Sequence, residues 1–260
     1  MISFKEGQPI IIGLAGKAGS GKTSVAEKII PKGSIETAHH GIKWDHIFYA
    51  LPLYELASIK KNIIGYNEAS RKMHAIHEVL YEVYGGSAIG NMPHYETFAG
   101  KVKQIYDMAI ESEGIKPRKF LQLAGDICRE HDSECFSSWA IIKSNKMYRQ
   151  YIRSLEDQDN NVPFCVIISD VRYLNEANSI LKQPNGFVIV FDADNKTLEE
   201  RLLKRDGKLM DQKESLHSSE QGMDLIKQIA SIVIDTNNLT LEEQVEATLS
   251  SLGVGSGINA

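Results

Sequence analysis

A chain of 260 residues, 42% hydrophobic and 24% charged, has the make-up of an ordinary globular protein and room for one sizeable α/β domain or a core with an inserted lobe; it excludes disordered and fibrous folds. A net charge of −5 argues against a general polyanion binder, so no nucleic-acid partner is expected. No apolar run approaches the roughly 20 residues that cross a bilayer, and Cys128, Cys135 and Cys165 form no CxxC pair, which fits reduced thiols and a cytoplasmic setting without a membrane partner.

In chain order, residues 1–9 carry Lys5 and Glu6 and do not read as a signal peptide. Residues 10–15 (Ile-Ile-Ile-Gly-Leu-Ala) are a short β-branched apolar run, the pattern of a parallel strand buried on both faces. A glycine-rich turn follows, then helical character over 23–30, stopped by Pro31. Residues 45–50 suggest a second strand, with Pro52 opening a helix to about residue 59. Residues 60–116 are polar, tyrosine-bearing and broken by glycine and proline, the texture of an inserted helical lobe. Helices are expected over 119–130 and 137–155, with a polar loop at 156–161. Strands are expected over 164–169, 186–191 and 230–234, and helices over 197–205 and 241–252. Residues 253–260 should fray as a tail. Alternating strands and helices predict an α/β fold: a parallel sheet of about five strands with helices on both faces. The whole is expected to be a single domain over 1–252 with the insert inside it.

The chemistry is densest at Gly16-Lys17-Ala18-Gly19-Ser20-Gly21-Lys22-Thr23, a complete GxxxxGK[ST] run between an expected strand and an expected helix. Gly16, Gly19 and Gly21 permit a tight loop whose N–H groups point at phosphate oxygens, and the following helix N-terminus adds partial positive charge. Lys22 is expected to reach the β- and γ-phosphates of ATP and the Thr23 hydroxyl to ligate Mg2+, with Ser20 and Ser24 completing the nucleotide-binding set. Asp170, after the strand 164–169, stands where open α/β sheets bind ligands. It could hold magnesium or accept a bond from the acceptor, or it could merely cap the next helix. Arg172 could clamp a second phosphate or form a surface ion pair. Arg201 and Arg205, four apart on one helix face, could stabilise a transferring phosphoryl group as part of a lid, or belong to a solvated face balanced by Glu199 and Glu200. Translocating ATPases often carry Asp-Glu where this chain has Asp170-Val171-Arg172, and neither Asn145-Lys146 nor Asn195-Lys196 continues into a guanine-reading Asn-Lys-x-Asp run. Group transfer to a small acceptor fits better than either.

Several runs then carry a family resemblance: Lys119-Phe-Leu-Gln-Leu-Ala-Gly-Asp126, Trp139, Ile168-Ser-Asp-Val-Arg172 with Glu176, Leu216-His-Ser-Ser-Glu-Gln-Gly222, and the close Val233-Ile-Asp-Thr-Asn-Asn-Leu-Thr-Leu-Glu-Glu243. Together they resemble the phage-type deoxynucleoside monophosphate kinases, over about residues 10–252 apart from 60–116. The resemblance implies a three-layer α/β/α P-loop kinase fold and Mg2+–ATP-dependent phosphorylation of a (deoxy)nucleoside monophosphate to the diphosphate, in the host cytoplasm if the chain is of phage origin. It implies that Trp139 lies near the acceptor's base or sugar and that Asp170, Arg172 and Glu176 form the acceptor's polar set. The alternative for Trp139 is a core residue. His217 and Glu220 belong either to a lid or to a helix start capped by Ser218 and Ser219. Similar motifs occur in phosphomevalonate kinases and other small-acceptor kinases, and a P-loop ATPase or a nucleotide-binding module without catalysis remains open, as does the oligomeric state, a homodimer included.

Overall fold

The computed structural model describes residues 4–30, 42–47, 49, 125–126, 128–130, 132–155, 162–207 and 222–253. The expected helix over 52–59, the insert 60–116, the loop 156–161, residues His217 and Glu220, and nearly all of the expected tail lie outside them. The chain divides into two compact units, Met1–Phe48 with Ala140–Ala260, and Tyr49–Trp139.

In the first unit, β1 (Ile10–Ala15), β2 (Lys43–Ile47), β3 (Phe164–Val171), β4 (Gly186–Asp192) and β5 (Ile232–Asp235) form one parallel sheet in the order β2-β3-β1-β4-β5. Every residue of β1 is buried, because this central strand is covered on both faces, and its isoleucines supply the branched side chains that such a strand packs best. On one face, α1 (Lys22–Ile29) and α6 (Leu241–Ser251) bury Val25, Ala26, Ile29 and Leu249 against Ile10, Ile12, Leu14, Cys165, Ile167 and Phe191. On the other, α3 (Leu174–Leu181) packs on β1 and β4 with α5 (Met223–Ile229) beside it. This is the α/β/α layering the alternating pattern predicts. The helix α2 (Cys135–Ser154) begins in the second unit and ends in the first.

Local signals set the helix ends. The Asp194 side chain accepts from Thr197 N at 2.7 Å to start α4 (Asn195–Asp206). Thr240 and Glu243 exchange bonds in a reciprocal cap at the start of α6. Three expectations shift. The second strand is Lys43–Ile47, so it begins two residues before the expected Asp45. The last strand starts at Ile232. The third runs on through Val171, so Asp170 lies within it and not beyond it. The short helices α3 and α5 follow the places where Asp170 and the pair Ser218 and Ser219 stand as alternative helix caps, although no range is expected for either.

Candidate functional site

The loop between β1 and α1 is left-handed at Gly16 (φ 149°), Gly19 (86°) and Gly21 (97°), a path that side-chain-bearing residues rarely follow. At Gly19 the requirement is also steric, since a Cβ would stand 2.9 Å from the Leu198 carbonyl oxygen of α4. Ser20 N donates to the Lys17 carbonyl at 3.1 Å, closing the turn. Lys22, 6% exposed, folds back so that Nζ donates to that same carbonyl at 3.2 Å. The start of α1 has neither a side-chain cap nor an acidic residue in its first turn, which leaves its partial positive charge for an external anion. Thr23 and Ser24 are exposed on that first turn.

One atom in this loop is out of place for a site without a ligand. Ser20 Oγ is buried and has no hydrogen-bond partner, although a buried unpaired hydroxyl costs about 1–3 kcal/mol. It belongs to a residue 1% exposed that crowds Gly16 from inside the loop, where a Cβ at Gly16 would lie 2.5 Å from it. A buried ammonium, an uncapped helix start and an orphan hydroxyl in one loop are together suited to a phosphate chain.

Asp170 stands on the neighbouring strand. β3 pairs with β1, and Val171 is in register with Ala15, the last residue before the loop. The two strands do not run evenly to that point. Gly13 is opposite Ile168 and Ala15 opposite Val171, so β3 holds one more residue than β1 over this stretch, a bulge at the residues flanking Asp170. On the far side of β3, β2 brings His46, whose Nε2 shares a hydrogen bond of 2.7 Å with Ser169 Oγ. Burial lowers the His46 pKa below its usual value, while the carboxylates of Asp170, Glu27 and Asp45, in that order, pull it back up. Asp45 is pushed up by burial, against its bond from His46 N and the charges of Lys43, His46 and Lys143.

The remaining expected residues separate. Arg172 follows β3 directly and is half-buried. Glu176 is 1% exposed, and its Oε2 accepts from the backbone N–H groups of Arg172 at 2.9 Å and Tyr173 at 3.1 Å. It is therefore a cap that shapes the turn carrying Arg172. Arg201 donates to Thr236 O at 2.5 Å and Thr236 Oγ1 at 3.2 Å, with both terminal nitrogens of its fork in use. Arg205 is exposed on the same helix. Trp139 is 2% exposed with its indole N–H unpartnered. A ring so enclosed has no face for a base to stack on, so what it offers is a buried donor.

Sequence reasoning missed His46 and Ser169. The signal was a polar residue near the end of a strand at the sheet's ligand-binding edge, hidden because the strand was expected to start at Asp45. It also missed Gln244 of α6, 4% exposed, whose side-chain oxygen lies 2.5 Å from where a Cβ at Gly21 would be.

No family model matches the chain, and no curated protein matches it. Among solved structures it is similar to TT1252 from Thermus thermophilus, at 16% identity over 94% of this chain and 98% of that one, with a TM-score of 0.43. It is also similar to an unliganded sugar kinase from Janibacter sp. HTCC2649, at 12% identity over 97% and 99% of the two chains, with a TM-score of 0.40. Likenesses this loose assign no activity.

Proposed function

We propose that this chain is a Mg2+- and ATP-dependent kinase that passes the γ-phosphoryl group to a small phosphorylated acceptor, a (deoxy)nucleoside monophosphate in the first instance. The observation that carries the reading is the loop over residues 16–23, where left-handed glycines, the buried Lys22 ammonium and the orphan Ser20 hydroxyl converge at the start of α1. Thr23 and Asp170 are the hard oxygen donors that would hold magnesium, whose charge offsets that on the phosphates during transfer. The chain's own residues would position and neutralise: Lys22 on the β- and γ-phosphates, Arg172 on the acceptor's phosphate, and Arg205 of α4 on the transferring phosphoryl group. No covalent intermediate on the protein is needed.

The enclosure of Trp139 favours a second reading alongside the first. Stacking was the feature that preferred a nucleotide over a phosphorylated carbon chain such as phosphomevalonate, and a buried ring does not supply it. The deciding experiment measures ADP release with purified protein, ATP and magnesium across deoxy- and ribonucleoside monophosphates and phosphomevalonate. Stimulation by a nucleoside monophosphate supports the first reading. Stimulation by phosphomevalonate alone moves the acceptor while keeping the kinase. ADP release that no acceptor stimulates leaves an ATPase, and none at all leaves a nucleotide-binding module.

A further inference from the structure

The region around the β3 bulge carries a role that motif reading does not assign. Side chains alternate across a strand, and neighbours in register share a face. Ile167 packs with Val25, Ala26 and Ile29 on the α1 face, and His46 is in register with Ile167. Ser169, two residues on, belongs to that face too, which is why its hydroxyl meets His46 Nε2 at 2.7 Å. Val171 lies on the opposite face: a Cβ on Gly13 would stand 2.9 Å from Val171 Cγ2 and 2.6 Å from Ile180 Cδ1 of α3. Even alternation would put residues 169 and 171 on the same face. They are on opposite faces, so the alternation breaks at Asp170.

That break decides where the carboxylate goes. Without the extra residue, Asp170 would share the face of Ile168 and point at α3, away from α1 and the phosphate loop. With it, Asp170 is released toward the α1 side, in keeping with its being the strongest of the three carboxylates acting on the His46 ring. A bulge of this kind is held only as firmly as its flanking residues. Ser169 is 2% exposed, and the bond from His46, on the adjacent strand, is the side-chain contact that fixes it.

We infer that His46 is a positioning residue: through Ser169 it pins the β3 bulge and thereby aims Asp170 at the magnesium of the bound nucleotide. This rests on the proposed Mg2+–ATP reading and adds to it a residue that touches neither ligand. Partners behind a metal-holding group typically account for about 10- to 100-fold in metal affinity.

The test is calorimetric titration of ATP into the full-length protein, once with EDTA and once with magnesium, taking the ratio of the two affinities as the gain from metal. His46→Ala and Ser169→Ala are expected to keep the metal-free ATP affinity within about twofold of the unmodified protein and to lower the gain by about 10- to 100-fold. Asp170→Asn should lower it comparably. Adding His46→Ala to Asp170→Asn should cost little more, since both act through one carboxylate. His46→Gln, whose amide can occupy the Nε2 position, should restore most of the gain. If His46→Ala fails to fold, Ser169→Ala decides the matter by the same ratio. A full gain in Ser169→Ala, or losses from His46→Ala and Asp170→Asn that multiply, overturns the inference and leaves the kinase reading intact. An unmodified protein that binds no ATP in either buffer overturns both.

Discussion

Gly19 and Gly207 offer a matched pair that separates backbone strain from the closeness of α4 to the phosphate loop. Both are left-handed, at φ +86° and +69°. Among the described residues an alanine at Gly207, just past the end of α4, meets nothing within 4 Å, so against them it bears only the conformational penalty of about 1–2 kcal/mol. At Gly19 the same penalty applies, and the new Cβ stands 2.9 Å from Leu198 O and 3.2 Å from Leu202 Cγ. The first of these is backbone and cannot rotate away, which adds about 1–3 kcal/mol of overpacking. Gly19→Ala should therefore lower the melting temperature about two to three times as far as Gly207→Ala, where each kcal/mol is worth about 2–4 °C in a chain near this size. The loop can relieve the clash only by moving off α4, which displaces the amides that face phosphate. Ligand at about 100 times its Kd raises stability by about 2.7 kcal/mol. Gly207→Ala should keep that shift with Mg2+–ATP, and Gly19→Ala should lose most of it. Melting curves with and without Mg2+–ATP measure both quantities. Equal destabilisation together with equal ATP shifts in the two variants would refute the packing argument.

Three further outcomes follow from named contacts. Lys22→Ala should reduce turnover by at least about 10²–10³-fold; near-normal turnover would remove the loop from catalysis. Arg172→Ala should leave ATP affinity unchanged and cost about 2–4 kcal/mol in kcat/KM for the acceptor, read from initial rates at saturating ATP. The third outcome concerns pH. Burial holds the folded pKa of His46 below 6.5 against the pull of Asp170, Glu27 and Asp45, so the unfolded chain takes up the proton first as pH falls. The stability of the neutral buried ring is present above 6.5 and is lost as pH falls toward the lowered folded value. Asp45, raised from 3.8, has the opposite sign in its own window, its share being lost as pH rises from 3.8 through the raised value. His46→Gln should flatten the stability profile just below 6.5 in melts taken across pH, and an unchanged slope there would count against the burial of this ring.

How much was readable depends on whether the information is local. Residues 10–23 were legible because a run of isoleucines, a glycine spacing and a helix start each carry their own signal. β2 was misplaced because Lys43, Trp44 and Asp45 show no clean alternation, and what makes them a strand is pairing with Phe164, Cys165 and Val166. The β3 bulge cannot be read from Ser169-Asp170-Val171, since an extra residue exists only relative to the strand beside it. Glu176, six residues beyond Asp170, is the residue that caps α3, a local role that its place near Asp170 does not reveal in the sequence. Trp139 has the aromatic area that serves a core and a base pocket alike, and only its burial separates the two.

The helix α4 is tied down at both faces of its position, which bears on where mobile charge for the transfer can come from. Leu198 and Leu202 lie against Gly19, while Arg201 holds Thr236, a residue 0% exposed. Thr236 in turn donates its N–H and its hydroxyl to Asp192 O at 2.8 and 3.1 Å, and the Asp192 carboxylate pairs with Lys227 of α5. A helix linked this way to the ends of β4 and β5 could swing only by breaking bonds to a buried carbonyl and leaving it unpaired, at about 1–3 kcal/mol for each orphaned group. It is better suited to being a strut that braces the phosphate loop than a lid that closes over it. Arg205 is exposed in its last turn. Arg172 stands directly beyond the strand that carries Asp170, on a turn fixed by Glu176. On the proposed reading, positive charge would come from Arg172 after β3 and from α4 after β4, the two strands that flank β1, and would not require α4 to move.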